Sequence, residues 1–161
     1  MIGIGVFVAE TAAVIGDVEL GEQSSVWYGT VIRGDDMPIR IGARTNLQDN
    51  TVTHITAGRY GTTIGTDCTI GHNAIIHACT VEDRCLIGMG AIILDGATIG
   101  AGSLVGAGAL VTPGTVIPPG SLVVGSPAKV KRPVNEKERE QILYGAAHYV
   151  ELTRRYLAET R

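Results

Sequence analysis

The chain has 161 residues, 45% of them hydrophobic, and a formal net charge of −3, a balance that fits one folded domain and excludes a disordered or multidomain layout. Its 13 Lys and Arg are scattered apart from a short run at Lys129, Lys131 and Arg132, which excludes a nucleic-acid or anionic-membrane footprint; no apolar run reaches the ~18 residues of a membrane span and the first ten residues lack a signal-peptide pattern, so the expected compartment is the cytoplasm. Cys68, Cys79 and Cys85 are odd in number and lack CxxC spacing, which excludes a disulfide framework or a cysteine zinc site and leaves them as small interior residues.

From the start of the chain, aliphatic residues recur every six positions at Val8, Val14, Leu20, Val26 and Ile32. The period resumes at Ile41 and Leu47 with Thr53 as a polar member, and again at Ile64, Ile70 and Ile76. It then runs through Val81, Ile87, Ile93, Ile99, Val105, Val111, Ile117 and Val123. Neither a helix nor an ordinary strand has this period. A small side chain sits four residues after each aliphatic, and Gly often follows it directly, as at Gly42 and Gly88, where crowded or strained backbone tolerates no Cβ. Three hexads make one triangular coil, and coils stack at the interstrand spacing of ~4.8 Å, some six in all. The pattern resembles the left-handed parallel β-helix of hexapeptide-repeat proteins, and the hand comes from that resemblance, not from the period. The expected fold is therefore all-β, a left-handed parallel β-helix over residues 1–130, followed by a C-terminal α-helix in 131–161 packed on its outside as part of the same domain. Asn135 with Glu138 forms a capping box, and Ile142, Leu143, Ala146, Val150, Thr153 and Leu157 trace the apolar face.

Three of the four histidines fall inside the repeat. If residues 33–40 and 55–63 are inserted loops, Thr53 and Ile76 lie one coil apart, so His54 and His77 stack on one edge, close enough to share a metal. Arg33 falls on the same column, with Asp35 two residues beyond. Gln48 and His72 fall on a neighbouring corner, out of reach of a metal held by their own chain. A threefold assembly that docks this corner against the next copy's column of Arg33, His54 and His77 places one site at each interface.

The segments SSVWYGTVIRGDD (24–36), IGARTNLQDNTVTH (41–54), IGHNAIIHACTV (70–81), IGMGAIILDGATIG (87–100) and VVGSPAKVKR (123–132) together resemble the γ-class carbonic anhydrase family, which includes ferripyochelin-binding proteins. The resemblance implies a homotrimer holding zinc, or iron or cobalt in its place, through His54 and His77 of one subunit and His72 of its neighbour. It further implies reversible hydration of carbon dioxide to bicarbonate by a zinc-bound hydroxide, a lyase reaction. Gln48 would orient the hydroxide, Asn46 would donate a hydrogen bond, and Arg33 with Asp35 would form an ion pair that either serves the site or fixes the interface. Tyr149 is assigned to helix packing and His148 to the helix surface. One departure is plain: the acidic loop that exports protons in family members is replaced by ITAGRYGTT (55–63), with no acid, leaving Asp36 or Glu82 as stand-ins. The competing expectations are a hexapeptide acyltransferase using one histidine as general base on a coenzyme A thioester, a coenzyme A thioesterase, and a noncatalytic metal-binding scaffold.

Overall fold

A computed structural model describes residues 1–159; positions 160 and 161, the end of the expected helical segment, lie outside the described residues. Short strands form at the hexad aliphatics because each hexad has one inward branched side chain, one outward neighbour and a turn. They stack into three faces. The first face carries Phe7–Val8, Ser25–Val26, Asn46–Leu47, Thr69–Ile70, Leu86–Ile87, Leu104–Val105 and Ser121–Gly125, all parallel. The second carries Val52–His54, Ile75–His77, Ile92–Ile93 and Leu110–Val111; the third carries Thr62–Ile64, Thr80–Val81, Thr98–Ile99 and Val116–Ile117. The expected parallel β-helix is thus present.

Inside, the hexad residues form continuous columns. Ile32, Thr53, Ile76, Ile93 and Val111 are fully buried one above another, and each aliphatic member contributes roughly 1.5–3 kcal/mol of burial. The neighbouring column of Val26, Leu47 and Ile70 frays at the first coil, where Val8 is 37% exposed at the open end of the stack. Cys68, Cys79 and Cys85 are buried free thiols, and burial pushes that of Cys79 up to about 12. The glycines after the aliphatics answer to crowding: a Cβ on Gly88 would lie 2.4 Å from the backbone nitrogen of Ala107. The left-handed backbone falls two residues later, at Gly90 and its equivalents.

Residues 33–40, expected as a loop, are instead the middle of an 11-residue strand, Val31–Ile41. Its two ends pair on different faces, Val31 and Ile32 with Val52 and Thr53, and Ile39 to Ile41 with Thr62 to Ile64, so the strand turns a corner of the triangle. It stays extended because Ala13–Leu20 runs parallel beside it, with a register shift between Gly16 and Val18 that takes up the extra residues. Gly16 makes this possible, with φ 81° and no room for a Cβ, which would sit 2.1 Å from the carbonyl oxygen of Gly34.

At the other end, Ala128–Pro133 returns antiparallel along Ser121–Gly125, so a strand spans the expected boundary at residue 130. The helix then runs Glu136–Glu159. Its start is the expected capping box: the Glu138 amide donates to Asn135 Oδ1 at 2.9 Å, and the Asn135 amide donates to Glu138 Oε2 at 2.8 Å. Arg132 pairs with the same carboxylate at 2.7 Å and, with the Asn135 amide, holds its pKa down at about 2. The helix packs on the first face, burying Ile142, Ala146 and Thr153 and closing over Phe7 and Trp27 with Tyr149, Leu152, Tyr156 and Leu157. Leu143, expected on the apolar face, is 55% exposed. Helical spacing turns it one position past the buried stripe. Among the described residues no helix is long and apolar enough to cross a membrane.

Candidate metal centre

His54 and His77 end neighbouring strands of the second face and are direct partners in the parallel register. Their 23-residue separation is one coil lengthened by the bulge at 55–61, closed by mutual backbone bonds between Thr56 and Tyr60 at 3.0 Å. His54 Nδ1 and His77 Nε2 stand 3.3 Å apart. Two nitrogens each ~2.0–2.1 Å from a tetrahedral metal are about 3.3 Å from one another, so this pair fits a shared zinc-type ion. The imidazole side chains are 23% and 31% exposed, which leaves the space in front of them open.

A carboxylate stands on the far nitrogen of each ring. Asp95 Oδ1 is 2.8 Å from His77 Nδ1, and Asp35 Oδ1 is 3.3 Å from His54 Nε2. The hydroxyl of Thr56 donates to the other Asp95 oxygen, and that bond, outweighing desolvation and aided by His77, lowers the Asp95 pKa. Arg33 lies directly over His54 in the stack, since Ile32 pairs with Thr53, and forms an ion pair with Asp35. Desolvation pushes the Asp35 carboxyl up, but a backbone hydrogen bond, Arg33 and His54 together outweigh it and leave the pKa lowered.

His72 sits elsewhere. Leu47 pairs with Ile70, which puts Gln48 and His72 on the corner after the first face. There His72 Nδ1 meets Asp49 Oδ2 at 2.8 Å. Gln48 and Asn46 are buried beneath it, with Gln48 Nε2 donating to Asn46 Oδ1 at 3.2 Å and Asn46 Nδ2 donating to Thr69 Oγ1 at 3.0 Å. Tyr149 packs edge-on against Trp27 at 5.3 Å; burial, and then the Asp49 carboxylate, raise its phenol pKa. Among the described residues no three His, Cys, Asp or Glu side chains of one chain form a metal-holding group. The structure therefore brings together Arg33, Asp35, His54 and His77 on one edge and Asn46, Gln48 and His72 on another. Asp36 is exposed, and Glu82 accepts from the Ala101 amide at 2.8 Å. His148 is exposed and stacks on Tyr144.

Asp49, Asp95 and Thr56 escaped the sequence reading. Asp95 follows His77 by 18 residues, one more than the 17-residue coil from Ile76 to Ile93, so the register puts Leu94 over His77 and the period carried no signal for Asp95. Thr56 had none either, because its place depends on how the bulge folds.

The bacterial transferase hexapeptide family (six repeats) matches residues 78–113, and the hexapeptide repeat of succinyl-transferase matches residues 61–77. The chain is 44% identical over 159 residues to γ carbonic anhydrase 2, mitochondrial, of Arabidopsis thaliana, covering 96% of this chain but spanning only 57% of that relative's length. It is 43% identical over 157 residues to a carbonic anhydrase of Geobacillus kaustophilus, covering 98% of this chain and 86% of that one. A solved hexapeptide transferase family protein from Anaplasma phagocytophilum superposes with a TM-score of 0.84 at 40% identity, covering 96% of each chain. With its repeat, its stacked histidine pair and these relatives, the chain belongs to the γ-class carbonic anhydrase family.

Proposed function

We propose that the protein reversibly hydrates carbon dioxide to bicarbonate at a metal centre shared between copies of a homotrimer, with zinc as the metal and iron or cobalt able to replace it. The observation that carries this reading is the approach of His54 Nδ1 and His77 Nε2 to 3.3 Å, the separation of two ligands on one tetrahedral ion, in a chain of this family. When bound, the metal supplies Lewis acidity that lowers the pKa of water to ~7, so a nucleophile is available near neutral pH without a strong base.

The residues of the chain do the rest. His54 and His77 offer two neutral nitrogens, and His72 of a neighbouring copy, its Nδ1 turned to Asp49, offers Nε2 as the third. Three protein nitrogens leave a fourth position open. Gln48 spends an N–H on Asn46, which leaves its carboxamide oxygen to accept from the attacking water and orient it. Arg33 and Asp35, mutually paired beside His54, hold the edge that faces the neighbouring copy. Met89 supports an interface at the corner: it lies one coil from His72 in the register that pairs Ile70 with Ile87, and is 61% exposed in the single chain.

The likeness to a hexapeptide transferase structure favours a second reading, transfer or hydrolysis of a coenzyme A thioester, with a noncatalytic metal scaffold as a third. One experiment separates them: stopped-flow hydration of carbon dioxide alongside metal analysis and acetyl-coenzyme A turnover, on protein prepared with zinc and, anaerobically, with iron. Hydration lost in His54→Ala, His72→Ala and His77→Ala supports the proposal. Near-stoichiometric metal without hydration moves the reading to the thioesterase or the scaffold, and no metal at all puts the acyltransferase first.

A further inference from the structure

We infer that Asp95, clamped by Thr56, is a positioning residue that sets which nitrogen of His77 faces the metal, a role that rests on the proposed metal centre. A neutral imidazole has one N–H and one lone pair. The 2.8 Å contact between Nδ1 and Asp95 Oδ1 spends the N–H on the carboxylate, so the lone pair is at Nε2, the nitrogen turned to His54. His54 is arranged in the opposite sense, with Nε2 toward Asp35 and Nδ1 toward His77, so the two lone pairs converge. The two carboxylates are not equivalent. Asp35 sits 3.3 Å from its ring and is engaged by Arg33, whereas Asp95 is closer and has no cation competing for it among its described contacts.

What holds Asp95 in place gives the acid-free bulge a purpose. Ile93 stacks on Ile76, which carries the following turn over His77, and the Gly96 amide closes that turn on the Ala78 carbonyl at 2.7 Å. The bulge lies against the same turn. Thr56 donates to Asp95 Oδ2, and a Cβ at Gly96 would sit 3.7 Å from the Tyr60 ring. The inserted residues therefore deliver a hydroxyl that fixes the free oxygen of the carboxylate, and the carboxylate fixes the ring. Such a partner raises ligand basicity as well as orienting it, and its loss costs about 10–100-fold in metal affinity.

The test is Zn²⁺ affinity of the full-length protein by competition with a chromophoric chelator, and the visible spectrum of the Co²⁺-substituted form. Wild type is compared with Asp95→Ala, Asp95→Asn, Thr56→Val and Thr56→Ser, with oligomer mass and metal-free melting recorded for each. Asp95→Ala is expected to lose about 10–100-fold in Zn²⁺ affinity and to alter the Co²⁺ spectrum, with unchanged mass and melting. Asp95→Asn, still able to accept from Nδ1, is expected to lose less. Thr56→Val is expected to weaken binding and Thr56→Ser to restore it. If Asp95→Ala fails to fold, the Thr56 pair carries the comparison. Zn²⁺ affinities within twofold of wild type across the variants overturn the inference while leaving the metal centre intact; a wild type that binds neither ion overturns the metal centre itself, and this inference with it.

Discussion

Thr53 is the polar member of an otherwise aliphatic column, fully buried, with its hydroxyl unpartnered. A buried hydroxyl without a hydrogen bond costs ~1–3 kcal/mol, and valine has the same shape without it. Thr53→Val is therefore expected to raise stability by about 1 kcal/mol, seen in denaturant melts of the metal-free protein; a lower midpoint would show that the hydroxyl has a partner after all. At this scale the sequence was informative about first contacts only. Period counting placed His54 over His77 and Arg33 above them, because each directly follows a buried member of one hexad column, Thr53, Ile76 and Ile32. Asp49 and Asp95 lie in the turns, where side-chain direction depends on the fold of each corner, and the period does not report it.

The C-terminal helix, as an element, is held by its cap and by one close approach. The Glu138 carboxyl is lowered from 4.5 to about 2 by Arg132 and by the Asn135 amide. A depressed acid stabilises the folded state above its unfolded pKa, and that contribution is lost as pH falls through the folded value. Docking of the helix start should therefore weaken between about pH 4.5 and 2, read by hydrogen exchange of the first helical turns. Glu138→Gln should already be weakened at neutral pH and lose that step; a step that persists in the variant would place the titration elsewhere. Further along, Gly145 lies against Thr69, where an added Cβ would stand 2.9 Å from Oγ1, the oxygen that accepts from Asn46. Gly145→Val is expected to cost ~1–3 kcal/mol by forced displacement, despite removing a poor helix former. Trp27, the only tryptophan, lies under the helix and reports its displacement by fluorescence. An unchanged melt would mean that the helix rides above the first face. Capping box and helix were legible because both are local patterns; Val31–Ile41 was not, because its extended form depends on the parallel partner Ala13–Leu20.

In the whole molecule, the two halves of the candidate centre stand on different edges of one triangular solenoid, and the sequence foretold that separation once coils were counted. The period is silent about which surface meets which; that step rests on closed threefold symmetry. Met89, exposed beside His72, offers an independent check. Met89→Lys is expected to shift the mass measured by light scattering from trimer toward monomer and to lower metal content in parallel, because a charge buried in an interface is costly. A trimer unaffected by the change would move the interface away from that corner. The central claim, a centre built by two copies, is tested most directly by metal content in mixed assemblies of His72→Ala and His54→Ala subunits. Each variant alone should bind no metal. Unfolded together and refolded in equal amounts, they should regain metal at about a quarter of the interfaces, those that join an intact column to an intact corner. Mixed trimers that form and recover none would contradict the shared site.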